Sequence, residues 1–216
     1  MKKTLLAFAL LAAVLLVYPI LNKSENTEII TGLPWQVDVM PDGATQVFGL
    51  HIGVSRLSDV LGILGDDDVE LAIIAASDEV GSLEMYYGHF RAGVIAGKLV
   101  VQTHASKQDI KDWRENAAKF DYMASGQAKK YIVSDDDIKL ALNEAVTGLT
   151  FIPALNLDEE IILARFGEPD ERVQLGGATH FRYAAKGLDI AVFEDAKEVI
   201  QYVAPYDFKN IDGMRE

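Results

Sequence analysis

From Thr4 to Leu21 the chain carries no charged side chain, and after Leu21 its pattern breaks into short alternating and helical stretches. Eighteen residues of helix span about 27 Å, close to a hydrocarbon core of about 30 Å. Lys2 and Lys3 precede this run, and no small-x-small cleavage site follows it at the right depth. The pattern predicts a retained signal anchor, a transmembrane helix over residues 1–22. The alternative is cleavage at an atypical site after Ser24. Basic residues stay inside, so the prediction is a single-pass inner-membrane protein with a cytoplasmic N-terminus and a periplasmic C-terminal domain.

Residues 23–34 read as a linker. Trp35 to Met40 alternates apolar and polar, Pro41-Asp42-Gly43 supplies turn chemistry, and Thr45 to Phe48 alternates again, which predicts a β-hairpin. Ser55 is placed to cap a short helix through Leu57, Val60, Leu61 and Leu64, ended by Gly65. Strand-like runs follow at Val69–Ala76, Leu83–Phe90 and Val94–Thr103. Ile110, Trp113, Ala117 and Phe120 form one stripe at helical spacing. A second helix is predicted from Ser134 through Ile138, Ala141, Leu142 and Ala145, with Asp135, Asp136 and Asp137 favouring its N-terminal dipole. Leu149 to Ile152 reads as a strand. Asn156 with Glu159 suggests a capping box for a helix through Ile161, Ile162, Leu163 and Phe166, stopped at Gly167. Strands then run at Arg172–Leu175, Thr179–Tyr183, Leu188–Phe193 and Val199–Val203.

Setting Gly65 on Gly167 brings Val60-Leu61-x-x-Leu64-Gly65 over Ile162-Leu163-x-x-Phe166-Gly167, and in both places a capped helix precedes strands. An internal repeat is the expectation. The predicted fold class is therefore α+β: the N-terminal transmembrane helix, then two helix-plus-antiparallel-sheet units with two helices between them. The boundaries are 35–106 for the first unit with its leading hairpin, 107–152 for a helical connector and strand, 153–208 for the second unit and 209–216 for a tail.

Residues 156–203 resemble the small envelope modules of the BamE (SmpA/OmlA) family and the β-lactamase inhibitor protein. Leu163-Ala164-Arg165-Phe166-Gly167-Glu168-Pro169 is similar to the family's helix end and G-x-P. Phe181-Arg182-Tyr183 is similar to its aromatic-x-Tyr strand, and Leu188–Phe193 with Val199–Tyr202 to its last two strands. Residues 49–103 match only the skeleton, without the proline or the aromatic-x-Tyr. The resemblance implies tandem units on a scaffold used for protein binding. Its outer-membrane assembly role does not carry over, because this chain has no cysteine to acylate.

Charge narrows the partners. Of 33 acidic and 20 basic residues, those after residue 28 number 31 and 17, a net charge of −14. Such a surface repels phosphates, so nucleic acid is excluded as a partner of the folded domain. The absence of cysteine removes disulfides, thiolate metal sites and a cysteine nucleophile. His51, His89, His104 and His180 show no metal-ligand spacing, and Asp66-Asp67-Asp68 lacks the spaced ligands of a calcium loop. No Gly-x-Ser-x-Gly, Walker loop or Gly-x-Gly-x-x-Gly occurs. No catalytic residue, metal site or cofactor is predicted. Tyr86, Tyr87 and Phe90 are the candidate ligand- or partner-binding residues, since adjacent tyrosines on a strand point to opposite faces. The expected function is a membrane-anchored, periplasm-facing binding module of the cell envelope with a protein partner. The alternative is a periplasmic hydrolase of cell-wall or peptide material, signalled by a histidine and a carboxylate meeting in a pocket.

Overall fold

Period-two alternation decides most of the architecture. In the computed structural model, which describes residues 30–123 and 126–215, thirteen strands form two antiparallel sheets. The small one joins β1 (Asp38–Val39), β2 (Thr45–Val47) and β3 (Leu50–His51). Its first turn is held by the Asp42 carboxylate, which accepts the Ala44 amide at 3.0 Å. The large sheet takes β4 (Val69–Ala76), β5 (Ser82–Ala92), β6 (Ile95–Thr103), β7 (Lys119–Tyr122), β8 (Ala128–Ile132), β9 (Val146–Pro153), β10 (Glu171–Leu175), β11 (Ala178–Tyr183), β12 (Leu188–Phe193) and β13 (Val199–Val203). Their order is β10-β11-β12-β13-β9-β6-β5-β4-β8-β7.

One face of this sheet is apolar. Ile73, Leu83, Met85, Tyr87, Leu99, Val101, Leu149, Phe151, Phe181, Ile190, Ile200 and Tyr202 are all buried there. They share one hydrophobic cluster with Leu57 and Val60 of α1 (Leu57–Leu64), Ile110 and Trp113 of α2 (Lys107–Glu115), and Ile162 and Phe166 of α4 (Glu159–Phe166). The short α3 (Ile138–Ala141) adds Ala141. Each helix shows the stripe its sequence requires, and stacked on the sheet these stripes exclude water from both surfaces. The phenol of Tyr202 donates to the Pro34 carbonyl at 2.9 Å, which pins the start of this unit to the middle of the sheet.

Several expectations are corrected. The chain does not fold as α+β with two helix-plus-sheet units and two helices between them. It is mostly β, and strands from both expected units form one continuous ten-stranded sheet, because β9 pairs with β6 on one side and β13 on the other. The connector is not helical throughout. α2 ends at Asn116, and Phe120 lies on β7 rather than on a helix. Lys119-Phe120-Asp121-Tyr122 alternates, and pairing with β8 extends the sheet where a further helical turn would only have added an exposed one. The helix expected from Ser134 to Ala145 shrinks to the four residues of α3. Two caps shift as well. Asp158 rather than Asn156 caps α4, accepting the Ile161 amide at 2.8 Å, while Arg56 takes the N-cap of α1.

The apolar run at residues 4–21, expected as the membrane anchor, lies outside the described residues. Among the described residues no helix is long and apolar enough to cross a membrane. The longest α-helix there has nine residues, about 14 Å of rise against about 30 Å of hydrocarbon. The expected transmembrane helix, on which the inner-membrane and periplasmic placement rested, is not met among the described residues.

Candidate functional site

The second face of the large sheet is built by the residues that alternate with the core. Strand register sets them in rows. Arg182 pairs with Asp189, Asp189 with Gln201, Gln201 with Thr150, Thr150 with Val100, and Val100 with Tyr86. One row thus crosses β11, β12, β13, β9, β6 and β5 with mostly polar side chains on a single surface. A neighbouring row sets Glu84 beside Gln102 and Gln102 beside Gly148. At Gly148 an added Cβ would stand 2.6 Å from the Gln102 amide oxygen, so the glycine makes room for that side chain.

These rows border a groove of about 370 Å³ whose lining, among the described residues, comes from strands alone. Glu84, Gln102, Thr150 and Gln201 form its polar part, and Val100, Ile152, Phe193 and Val199 its apolar part. The Glu84 carboxylate accepts from the Ser82 hydroxyl at 2.9 Å. Burial raises its pKa above the ordinary carboxylate value, and the Ser82 bond only partly opposes this. Among the described residues no lysine, arginine or histidine lies within ion-pair distance of Glu84. The Thr150 hydroxyl oxygen is also buried, with no hydrogen-bond partner among the described residues.

Beside the groove sits a buried hydrogen-bonded pair, His180 and Asp189. His180 Nδ1 is 2.9 Å from an Asp189 carboxylate oxygen, and its Nε2 is 3.2 Å from the Leu175 carbonyl. Arg182 approaches the same carboxylate at 3.9 Å and Glu171 at 3.7 Å. His180 and Asp189 are essentially inaccessible to water. With an acceptor at each ring nitrogen, His180 has no free nitrogen to take a proton from a substrate. The arrangement locks β11 to β12 and does not open a catalytic base to the groove.

The chain matches no family model, no curated protein and no solved structure.

The three residues singled out from sequence separate. Tyr86 lies on the groove side of β5, between Glu70 and Val100. Tyr87 and Phe90 belong to the core, with exposures of 3 % and 8 %. Phe90 borders a second hollow of about 490 Å³ shared with His89, Lys98 and Lys197, but its ring packs edge-on against Phe48 and Phe151. A bulge between Tyr87 and Phe90 puts both aromatics on the core side despite their odd spacing. Of the other histidines, His51 meets Asp42 at 3.1 Å and His89 meets Asp68 on the surface. Among the described residues no group of three or more histidine, aspartate or glutamate side chains could hold a metal ion. Thr150, Asp189 and Gln201 were missed from sequence. The available signal was a polar residue between two apolar ones in Leu149-Thr150-Phe151, Leu188-Asp189-Ile190 and Ile200-Gln201-Tyr202.

Proposed function

We propose that this protein is a non-catalytic binding module whose groove receives a basic side chain of a partner protein. One observation carries the reading: Glu84 is a half-buried carboxylate in a groove between strands, with its pKa raised by burial and without a cation beside it among the described residues. A carboxylate held in this state gains more from an incoming guanidinium or ammonium group than a fully hydrated one does. Gln102 and Thr150 supply further hydrogen-bonding groups, and Val100, Ile152 and Phe193 cover the aliphatic stem of such a side chain. The net charge of −13 favours encounter with a basic partner. The resemblance of residues 156–203 to modules used for protein binding points the same way. The hydrolase alternative draws on the meeting of His180 and Asp189, but their burial and filled hydrogen bonds weigh against it.

The test is an NMR titration of the full chain with a short capped peptide containing arginine, alongside the same peptide with uncharged citrulline. Amide shifts centred on Val100, Gln102, Thr150 and Gln201, seen with arginine only and abolished by Glu84→Gln, are expected. Shifts scattered over the surface, or equal for citrulline, would overturn the reading.

A further inference from the structure

At the far edge of the large sheet, β7 exposes all four of its residues. Phe120 and Tyr122 are 52 % and 67 % exposed, and their rings meet edge to face at 6.2 Å. Tyr131 of β8 lies 5.7 Å from Phe120, and the Lys129 ammonium sits over both Phe120 and Tyr122. This aromatic ladder continues the core face outward, since Tyr131 pairs with the buried Ile73. Edge strands of soluble proteins are usually guarded by charge against pairing with other strands. The opposite edge, β10, is guarded in that way: Arg172 is tied to Glu159, and Arg182 reaches toward Glu171. β7 instead presents two aromatic rings.

We infer that β7 is a self-pairing edge, whose occupant is the β7 strand of a second copy of this chain. Met123 donates its amide to the Ala128 carbonyl, so two-residue alternation turns the main-chain groups of Asp121 and Lys119 toward β8. Those of Phe120 and Tyr122 then point away from the sheet, free to bond another strand. A two-fold axis normal to the sheet preserves its faces, so only residues of equal parity can oppose each other. Two registers satisfy this rule within the strand. Centring on Asp121 sets two carboxylates directly opposite one another. Centring on Phe120 sets Phe120 against its own copy and Lys119 against Asp121 twice, giving one aromatic pair and two ion pairs. The second register is self-complementary, and the sequence Lys-Phe-Asp allows it.

Charge also selects this edge. The protein carries −13 overall, which opposes association of two copies across most of the surface. Residues 107–132 hold six basic and four acidic side chains, a local charge of +2. Two copies repel each other least where β7 lies.

The test uses the full chain, which has no native cysteine. In the inferred register the two Phe120 Cα atoms stand about 5.5 Å apart, inside disulfide range. Phe120→Cys is expected to form a covalent dimer under mild oxidation. Tyr122→Cys, whose copies would lie roughly 14 Å apart, and Val94→Cys on a remote exposed turn are not. Sedimentation gives an independent readout without any cysteine. Lys119→Asp or Asp121→Lys alone should each weaken the dimer by about tenfold or more. Mixing the two variants, or combining both changes in one chain, should restore it. A monomer at the highest soluble concentration, Phe120→Cys crosslinking no better than Val94→Cys, or charge variants without reciprocal rescue would each overturn the inference.

Discussion

Tyr87 and Tyr183 occupy equivalent positions in different parts of one sheet: each donates its phenol proton to the carbonyl of the glycine that ends a helix. The Tyr87 bond to Gly65 is 2.8 Å and the Tyr183 bond to Gly167 is 2.9 Å. The two glycines have positive φ values of 88° and 87°, a backbone conformation that other residues adopt only with strain. Both rings are buried, so each bond satisfies a helix-end carbonyl where little water reaches. Removing either hydroxyl, by Tyr87→Phe or Tyr183→Phe, should cost about 1–3 kcal/mol, the range for leaving a buried polar group unmatched. Urea denaturation of both variants checks this. A loss at one site only would show that the two contacts are not equivalent.

The same phenols set the alkaline limit. Burial first, then the nearby Asp66 for Tyr87 and Glu168 for Tyr183, push both groups up to about 12. Burial alone raises Tyr202 well above its ordinary value. The folded state therefore favours the protonated phenol. That contribution is fully present below the unfolded value of about 10 and is lost as pH rises from there through about 12. Phenolate absorbance of these three tyrosines should appear together with loss of circular dichroism, not before it.

The His180–Asp189 pair yields a double-mutant cycle. His180→Ala removes the 2.9 Å partner of the buried Asp189 carboxylate, with Arg182 standing farther off at 3.9 Å, and each single alanine variant should cost about 3–5 kcal/mol. The double variant should cost clearly less than the two singles together, because it leaves neither partner of this hydrogen bond stranded without the other. Additive losses in chemical denaturation would mean the two side chains act independently.

Glu84 makes an opposite prediction. Its raised pKa means the fold prefers the protonated carboxyl, so its stabilising contribution is present below the unfolded value and is lost as pH rises through the folded one. Glu84→Gln should therefore be stabilising at pH 7, by about 1 kcal/mol or less after screening by solvent, and neutral in effect at acidic pH. Thermal unfolding across that pH range measures the difference.

Gly97 tests the packing of β6 on β9. A Cβ there would run into the Phe151 ring and stand 2.5 Å from the Ile152 carbonyl oxygen. Gly97→Ala should cost about 3 kcal/mol, the upper end for overpacking a filled core. A loss below a few tenths would show that Phe151 can move aside.

The helix ends at Gly65 and Gly167 could be read directly, because a stripe of apolar residues closed by glycine is a local pattern. The first hairpin was equally legible from Pro41-Asp42-Gly43. The β7–β8 hairpin was not. Ile110, Trp113, Ala117 and Phe120 fit a helical period, and the alternation of Lys119-Phe120-Asp121-Tyr122 is too short to outweigh it without a partner strand. In the groove, each polar residue was visible by itself, while its neighbours came from five strands far apart in the chain.

By itself the sequence determined the local elements that rest on short-range periodicity and turn chemistry, together with the acidic surface and the lack of thiol chemistry. The tertiary structure alone decided that two expected units merge into one sheet, that His180 meets Asp189, and that Glu84 sits beside Gln102 across from Thr150 and Gln201. Strand order and register are long-range choices made by the packing of the whole apolar face, and a one-residue slip would have sent every one of those polar groups to the other side.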